Sequence, residues 1–171
     1  DNSLMIGIAG YLNYIKNKVI TEYVRKVSGK AEAQRFFNYP YEALEEILVN
    51  AVYHRSYEED SPVEVRMFPA RIEVVSYPGP MPPLNKDNIN KSAVTARRYR
   101  NRRLGDFLKE LHLTEGRSTG FPKIRKALKS NGSPKPVFET DDDRSYFTSL
   151  IRIHPKAKKN RKRTGEQVSE Q

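Results

Sequence analysis

Glu46, Asn50 and His54 stand at i, i+4 and i+8 of one amphipathic stretch. In a helix this spacing lines them along one flank, each a turn from the next. A carboxylate one turn before a carboxamide brings two oxygen-bearing groups within reach of a single ligand. The amide carbonyl suits Mg²⁺, which takes hard oxygen donors, and the carboxylate can orient or deprotonate a water. The pattern E-x-x-x-N also arises by chance. Its bland alternative is a helix flank hydrogen-bonded to neighbouring loops.

Two further segments have types that admit a ligand. Ser76-Tyr77-Pro78-Gly79-Pro80 ends a β-rich run, and its Pro and Gly turn the chain sharply and permit close approach to the backbone. An ordinary strand terminator has the same composition. Glu115 to Gly120 places Gly116 and Gly120 around Arg117, Ser118 and Thr119 just before a helix. Small residues there expose backbone N–H groups that suit phosphate. A basic cluster, Arg97, Arg98, Arg100, Arg102 and Arg103, has Tyr99 and Asn101 interleaved. It could neutralise phosphates of DNA, RNA or a nucleotide, or form a solvated face.

Other machinery is missing. There is no G-x-x-x-x-G-K-[ST] segment and no G-x-S-x-G elbow. His54, His112 and His154 are far apart, without metal-ligand spacing. Cysteine is absent, which excludes disulfide scaffolds, thiolate zinc sites and cysteine nucleophiles.

The elements that must position these residues follow from periodicity. Leu12, Ile15, Val19, Val24 and Val27 predict a helix within Leu4 to Val27. Pro40 is a start signal for a helix over Tyr41 to His54, with Leu44, Ile47, Leu48 and Ala51 as its apolar stripe. Val63 to Phe68 and Arg71 to Tyr77 alternate as two strands joined at Pro69-Ala70. Leu84 to Arg100 is polar without a period and reads as a long loop. Short helices are expected over Leu104 to Leu111 and Phe121 to Lys129, the second stopped by Asn131-Gly132-Ser133-Pro134, then a strand over Tyr146 to Ile153. This order predicts an α+β class, with helices on one face of a largely antiparallel sheet.

With 171 residues the chain suits one domain, 1–155, followed by a basic disordered tail or linker over 156–171. That tail holds six basic and two acidic residues, so +4 of the net +10 resides there. Charged residues make up 30% and mean hydropathy is −0.76, a very polar soluble composition. The apolar run Leu4 to Leu12 is shorter than the ~18 residues of a membrane span, and it lacks a basic flank and a cleavage site. No membrane partner is expected, and the cytoplasm is the expected compartment. Asp1 at the start suggests a piece excised from a longer polypeptide.

In combination and order, the motifs resemble a known family. The segments are Tyr39-Pro40-Tyr41-Glu42-Ala43-Leu44, Asn50-Ala51-Val52-Tyr53-His54-Arg55, Arg71-Ile72-Glu73-Val74, Pro78-Gly79, Arg100-Asn101-Arg102, and Glu115-Gly116-Arg117. Thr119-Gly120-Phe121-Pro122-Lys123-Ile124, Asn131-Gly132-Ser133-Pro134 and Asp143-Arg144-Ser145-Tyr146-Phe147 continue it. Together they resemble the GHKL (histidine-kinase ATPase-like) domain of regulators labelled "ATP-dependent DNA helicase, RecG-like, C-terminal", which often follow a Schlafen AlbA-like domain. The resemblance implies a two-layer GHKL sandwich that binds ATP or ADP with Mg²⁺. It gives Glu46 the attacking water and Asn50 the metal. Pro78 and Gly79 would line the adenine pocket, with His54, Gly116, Arg117, Thr119, Gly120 and Lys123 also at the nucleotide. The loop Leu84 to Arg103 would be a lid. Tyr77-Pro78 stands where the family has an adenine-reading Asp, Ser118 where glycine is common, and Ser56 where Asp is common.

The resulting expectation is a degenerate ATP/Mg-binding module of a DNA-associated transcriptional regulator. At most it hydrolyses ATP slowly, and it is no motor helicase. Nucleotide, DNA through the full-length protein, and a second copy in a homodimer are its expected partners. The rivals are an interaction or dimerisation domain without nucleotide, and direct nucleic-acid binding through Arg97, Arg98, Arg100, Arg102 and Arg103.

Overall fold

The computed structural model describes residues 2–26, 28–29, 31–58, 60–91, 100, 101, 104, 106, 108 and 120–157. Helix α1 (Asn2–Tyr14) runs into a π-helical turn, Ile15–Val19, and then a two-stranded antiparallel ribbon of β1 (Glu22–Arg25) and β2 (Gln34–Phe37). Helix α2 (Tyr41–His54) follows. Strands β3 (Glu64–Phe68) and β4 (Arg71–Ser76), helix α3 (Gly120–Asn131), and strands β5 (Val137–Glu139) and β6 (Phe147–Arg152) complete the fold. The main sheet is antiparallel throughout, in the order β3-β4-β6-β5. The class is α+β.

Helix α2 has the bounds that the apolar stripe predicts. Pro40, extended at φ −71°, forms its N-cap, and the Pro40 carbonyl accepts from the N–H groups of Ala43 and Leu44. Leu44, Ile47, Leu48 and Ala51 are all buried, and Ala43 and Val49 join them. Burial on so many sides follows from position, because α2 packs on β4 and on α3. At roughly 1.5–3 kcal/mol per large apolar side chain, these contacts dominate its stability.

Helix α3 turns Ile124 and Leu128 inward and ends in a Schellman motif. Ser133 N–H donates to Leu128 O at 2.9 Å and Gly132 N–H to Lys129 O at 3.0 Å. Gly132 has φ +74°, a conformation that glycine adopts at little cost.

Three expectations are corrected. The helix expected over Leu4 to Val27 stops at Val19, and Glu22–Arg25 pairs with Gln34–Phe37 instead. Tyr23 stacks on Phe36 at 5.2 Å, so a cross-strand aromatic pair takes the residue whose spacing suited a helix. Second, the first residues of the segment expected as a tail, Lys156 and Ala157, are held on the fold. Pro155–Ala157 is helical, Ala157 is fully buried, and Lys156 Nζ donates to Gln34 Oε1 at 2.7 Å; residues 158–171 lie outside the described residues. Third, the segment read as a loop from Leu84 is anchored at its start. Leu84 and Ile89 are buried. The Asn90 carboxamide pairs with both N–H and C=O of Phe138, at 2.9 and 2.8 Å, as a neighbouring strand would. Of the helix expected over Leu104 to Leu111, Leu104, Asp106 and Leu108 are described, with helical backbone.

Candidate functional site

The first turn of α3 lies against the polar flank of α2. Glu46 is 2% exposed, a buried acid. Its Oε1 accepts a hydrogen bond from Asn50 Nδ2 at 3.0 Å, and Lys123 Nζ lies 3.1 Å from its Oε2. Gly120 opens α3 close to this pair. A Cβ added there would meet Asn50 Nδ2 at 2.7 Å, Asn50 Oδ1 at 3.2 Å and Glu46 Oε1 at 3.2 Å. Glycine therefore lets these side chains close over the start of α3 without having to turn aside.

Sequence reasoning placed Glu46, Asn50, Gly120 and Lys123 at one site, and the fold brings all four together. The direct Glu46–Lys123 ion pair was missed. Nothing in local spacing reports it, because the two residues meet only through the packing of α3 on α2.

The cluster offers a coherent set of donors and acceptors. The Asn50 amide nitrogen is fixed by Glu46, which settles the orientation of the carboxamide. Among the described residues Oδ1 accepts no hydrogen bond. That oxygen suits a hard cation held mostly by water and phosphate oxygens, the usual habit of Mg²⁺. Among the described residues there is no group of three or more carboxylate, imidazole or thiolate side chains that could hold a metal by themselves. Lys123 and the positive end of the α3 dipole add potential suited to an anion.

His54 lies two turns from Glu46, about 12 Å along the helix axis. Burial lowers its pKa to about 4, helped by the nearby charge of Arg100, so its imidazole is neutral at pH 7 and brings no charge to a phosphate. The C-terminal end of α2 is held by the cluster read as a phosphate contact. Arg100 Nη1 donates to His54 O at 2.6 Å. Asn101 Nδ2 donates to Tyr53 O and Arg55 O, at 2.9 and 2.7 Å. Free carbonyls at a helix C-terminus attract such donors, so Arg100 serves here as a cap. Arg97, Arg98, Arg102, Arg103, Gly116, Arg117, Ser118 and Thr119 lie outside the described residues.

At Pro78 and Gly79 the close approach expected of a ligand is made by the chain itself. Gly79 N–H donates to Arg144 O at 2.7 Å. An added Cβ would lie 2.6 Å from both Arg144 O and Tyr146 O. The turn that delivers these carbonyls is tied by Asp141, whose Oδ1 accepts from Ser145 N–H at 2.7 Å, and by Thr140, whose hydroxyl donates to Tyr146 O at 2.6 Å. Arg144 occupies the left-handed region at φ 52° within it. Tyr77, which precedes Pro78 and Gly79, donates its hydroxyl to Glu64 at 3.1 Å.

Residues 60–150 match the family model described as "Putative ATP-dependent DNA helicase recG C-terminal". The chain belongs to this ATPase-like family. The RecG C-terminal match includes Gly79, Gly120 and Lys123 and ends short of Glu46, Asn50 and His54, which lie before residue 60. Among solved structures, the DIP2311 protein from Corynebacterium diphtheriae is similar, with TM-score 0.67 and 22% identity over 85% of this chain. The alignment covers 29% of that longer protein, and the likeness establishes the fold. No curated protein sequence matches. Among the described residues no helix is long and apolar enough to cross a membrane.

Proposed function

We propose that the chain is a degenerate nucleotide-binding module of the GHKL type, taking ATP or ADP with Mg²⁺, and that any hydrolysis is slow and regulatory. The observation that carries this reading is the meeting of Glu46, Asn50 and Lys123 at the glycine that opens α3. Asn50 Oδ1 would hold the metal, which when bound neutralises phosphate oxygens. Lys123 and the first N–H groups of α3 hold the anion, and Glu46 orients a water through its carboxylate. Gly79 is engaged by Arg144 and Tyr146, so recognition rests on the phosphate end more than on the base. We assign the module to residues 1–155 of a cytoplasmic, DNA-associated transcriptional regulator that forms a homodimer.

A second reading has its own observation. Both oxygens of Glu46 are engaged inside the chain, by Asn50 and by Lys123, as in a polar knot that fixes the α2–α3 angle for an interaction domain without nucleotide. A thermal-shift panel of nucleotides with and without Mg²⁺ separates the two. Under the first reading, Mg²⁺ with ATP or ADP at 100 times Kd adds about 2.7 kcal/mol of stability. No shift at millimolar nucleotide would leave the interaction domain as the better account.

A further inference from the structure

The Glu46–Lys123 pair is asymmetric. The carboxylate side chain is 3% exposed and held by Asn50, whereas the lysine side chain is 32% exposed. Glu46 is the recorded partner of Lys123 Nζ among the described residues. Lys123 also follows Gly120 by three positions, so both face α2 from the first turn of α3. A lysine is a flexible stem ending in a compact charge with three donors, well suited to changing partners. Its carboxylate partner is fixed. An anion arriving at the N-terminal end of α3 would meet the same ammonium, and the two acceptors would compete for it.

We propose that Lys123 is an exchangeable counter-ion. In the ligand-free chain it neutralises Glu46, and on binding it transfers to the terminal phosphate of the nucleotide. This rests on the nucleotide reading and adds its regulation. The exchange leaves Glu46 beside Asn50 as a carboxylate without its cation while phosphate is bound. Lys123 thereby makes the site unresponsive in the absence of phosphate, and part of the binding energy of the anion is spent on breaking the internal pair.

The competition has an unusual signature: removing the acid should strengthen the binding of a polyanion. We would measure affinity for Mg-ATP and for adenosine by calorimetry in the unmodified chain, Glu46→Gln, Lys123→Gln and the double variant, with circular-dichroism melts to establish folding. Glu46→Gln should bind Mg-ATP about tenfold tighter, equivalent to about 1.4 kcal/mol, with adenosine unchanged. Lys123→Gln should bind Mg-ATP more weakly, and in the double variant the gain from Glu46→Gln should vanish. If Lys123→Gln alone fails to fold, the comparison of Glu46→Gln with the unmodified chain still decides. Unchanged or weaker Mg-ATP binding by Glu46→Gln, with binding intact in the unmodified chain, overturns the exchange and leaves the nucleotide reading standing. No binding by either chain at millimolar Mg-ATP overturns both.

Discussion

Two glycines of this chain are packed almost equally tightly, yet against different kinds of neighbour. At Gly79 the atoms nearest a hypothetical Cβ are the main-chain oxygens of Arg144 and Tyr146, at 2.6 Å. At Gly120 they are side-chain ends, Asn50 Nδ2 at 2.7 Å and Glu46 Oε1 at 3.2 Å. Main chain locked by a turn cannot retreat, whereas a carboxamide can rotate away at the cost of its hydrogen bond. Tight packing around a glycine thus means fold maintenance in the first case. In the second it means a site whose polar groups are held close and can still move.

Substitution should expose this difference most strongly at Gly79. Gly79→Ala is expected to cost about 4 kcal/mol, since overpacking against backbone exceeds the usual range. For a chain of this size that lowers Tm by roughly 8–16 °C, measurable in a calorimetric melt. A loss below about 1 kcal/mol would show that the Arg144–Tyr146 turn yields easily, and the contrast between the two glycines would fail.

Acid probes the stretch that joins the two regions. His54 ends α2, and two residues later Ser56 N–H donates to Tyr77 O at 2.8 Å, next to Pro78 and Gly79. Burial, then Arg100, lowers the His54 pKa to about 4. Between about pH 6.5 and 4 the unfolded chain binds a proton that the folded chain does not, so stability falls as pH drops. The total is up to about 3 kcal/mol. His154, also lowered by burial, adds in the same direction. Urea melts from pH 7 to 4 should show this slope, and His54→Gln should remove most of it.

Lys123→Gln sharpens the comparison from the mobile side. Removing one partner of a buried pair usually costs about 3–5 kcal/mol. With the lysine side chain one-third exposed, we expect about 2 kcal/mol in a denaturant melt, and Glu46→Gln in the same chain should recover at least half. The smallest effect belongs to Gly120→Ala, at about 1 kcal/mol, because the Asn50 carboxamide can turn aside. Its mark should be on ligand binding: loss of any Mg²⁺-dependent nucleotide shift with the melt of the free chain nearly unchanged. A Gly120→Ala chain as damaged as Gly79→Ala would erase the distinction.

The parts of the fold legible in the sequence share a local cause. Pro40 and the stripe Leu44, Ile47, Leu48 and Ala51 define α2, and the Pro69-Ala70 turn defines the β3–β4 hairpin. Gly132 marks the stop of α3. What escaped depends on distant partners. Tyr23 and Val24 become strand because β2 is available to pair with them, and three-residue β5 is held by β6 on one side and by Asn90 on the other. The site followed the same division. The types of Glu46, Asn50, Gly120 and Lys123 were readable, but the ion pair needed α3 to dock on α2. At Pro78-Gly79 the expected close approach was present, and its partner was the chain's own turn.

Asn131 closes α3 with a carboxamide that grips both main-chain groups of Phe37, receiving its N–H at 2.8 Å and donating to its C=O at 2.9 Å. The opposite end of the same helix carries Gly120 and Lys123. A hydrogen-bonded helix of 12 residues is a rod about 18 Å long that resists compression and bending far better than it resists rotation. The β1–β2 ribbon and the polar flank of α2 are thus fastened to the two tips of one strut. A tilt of the rod would displace both fastenings together.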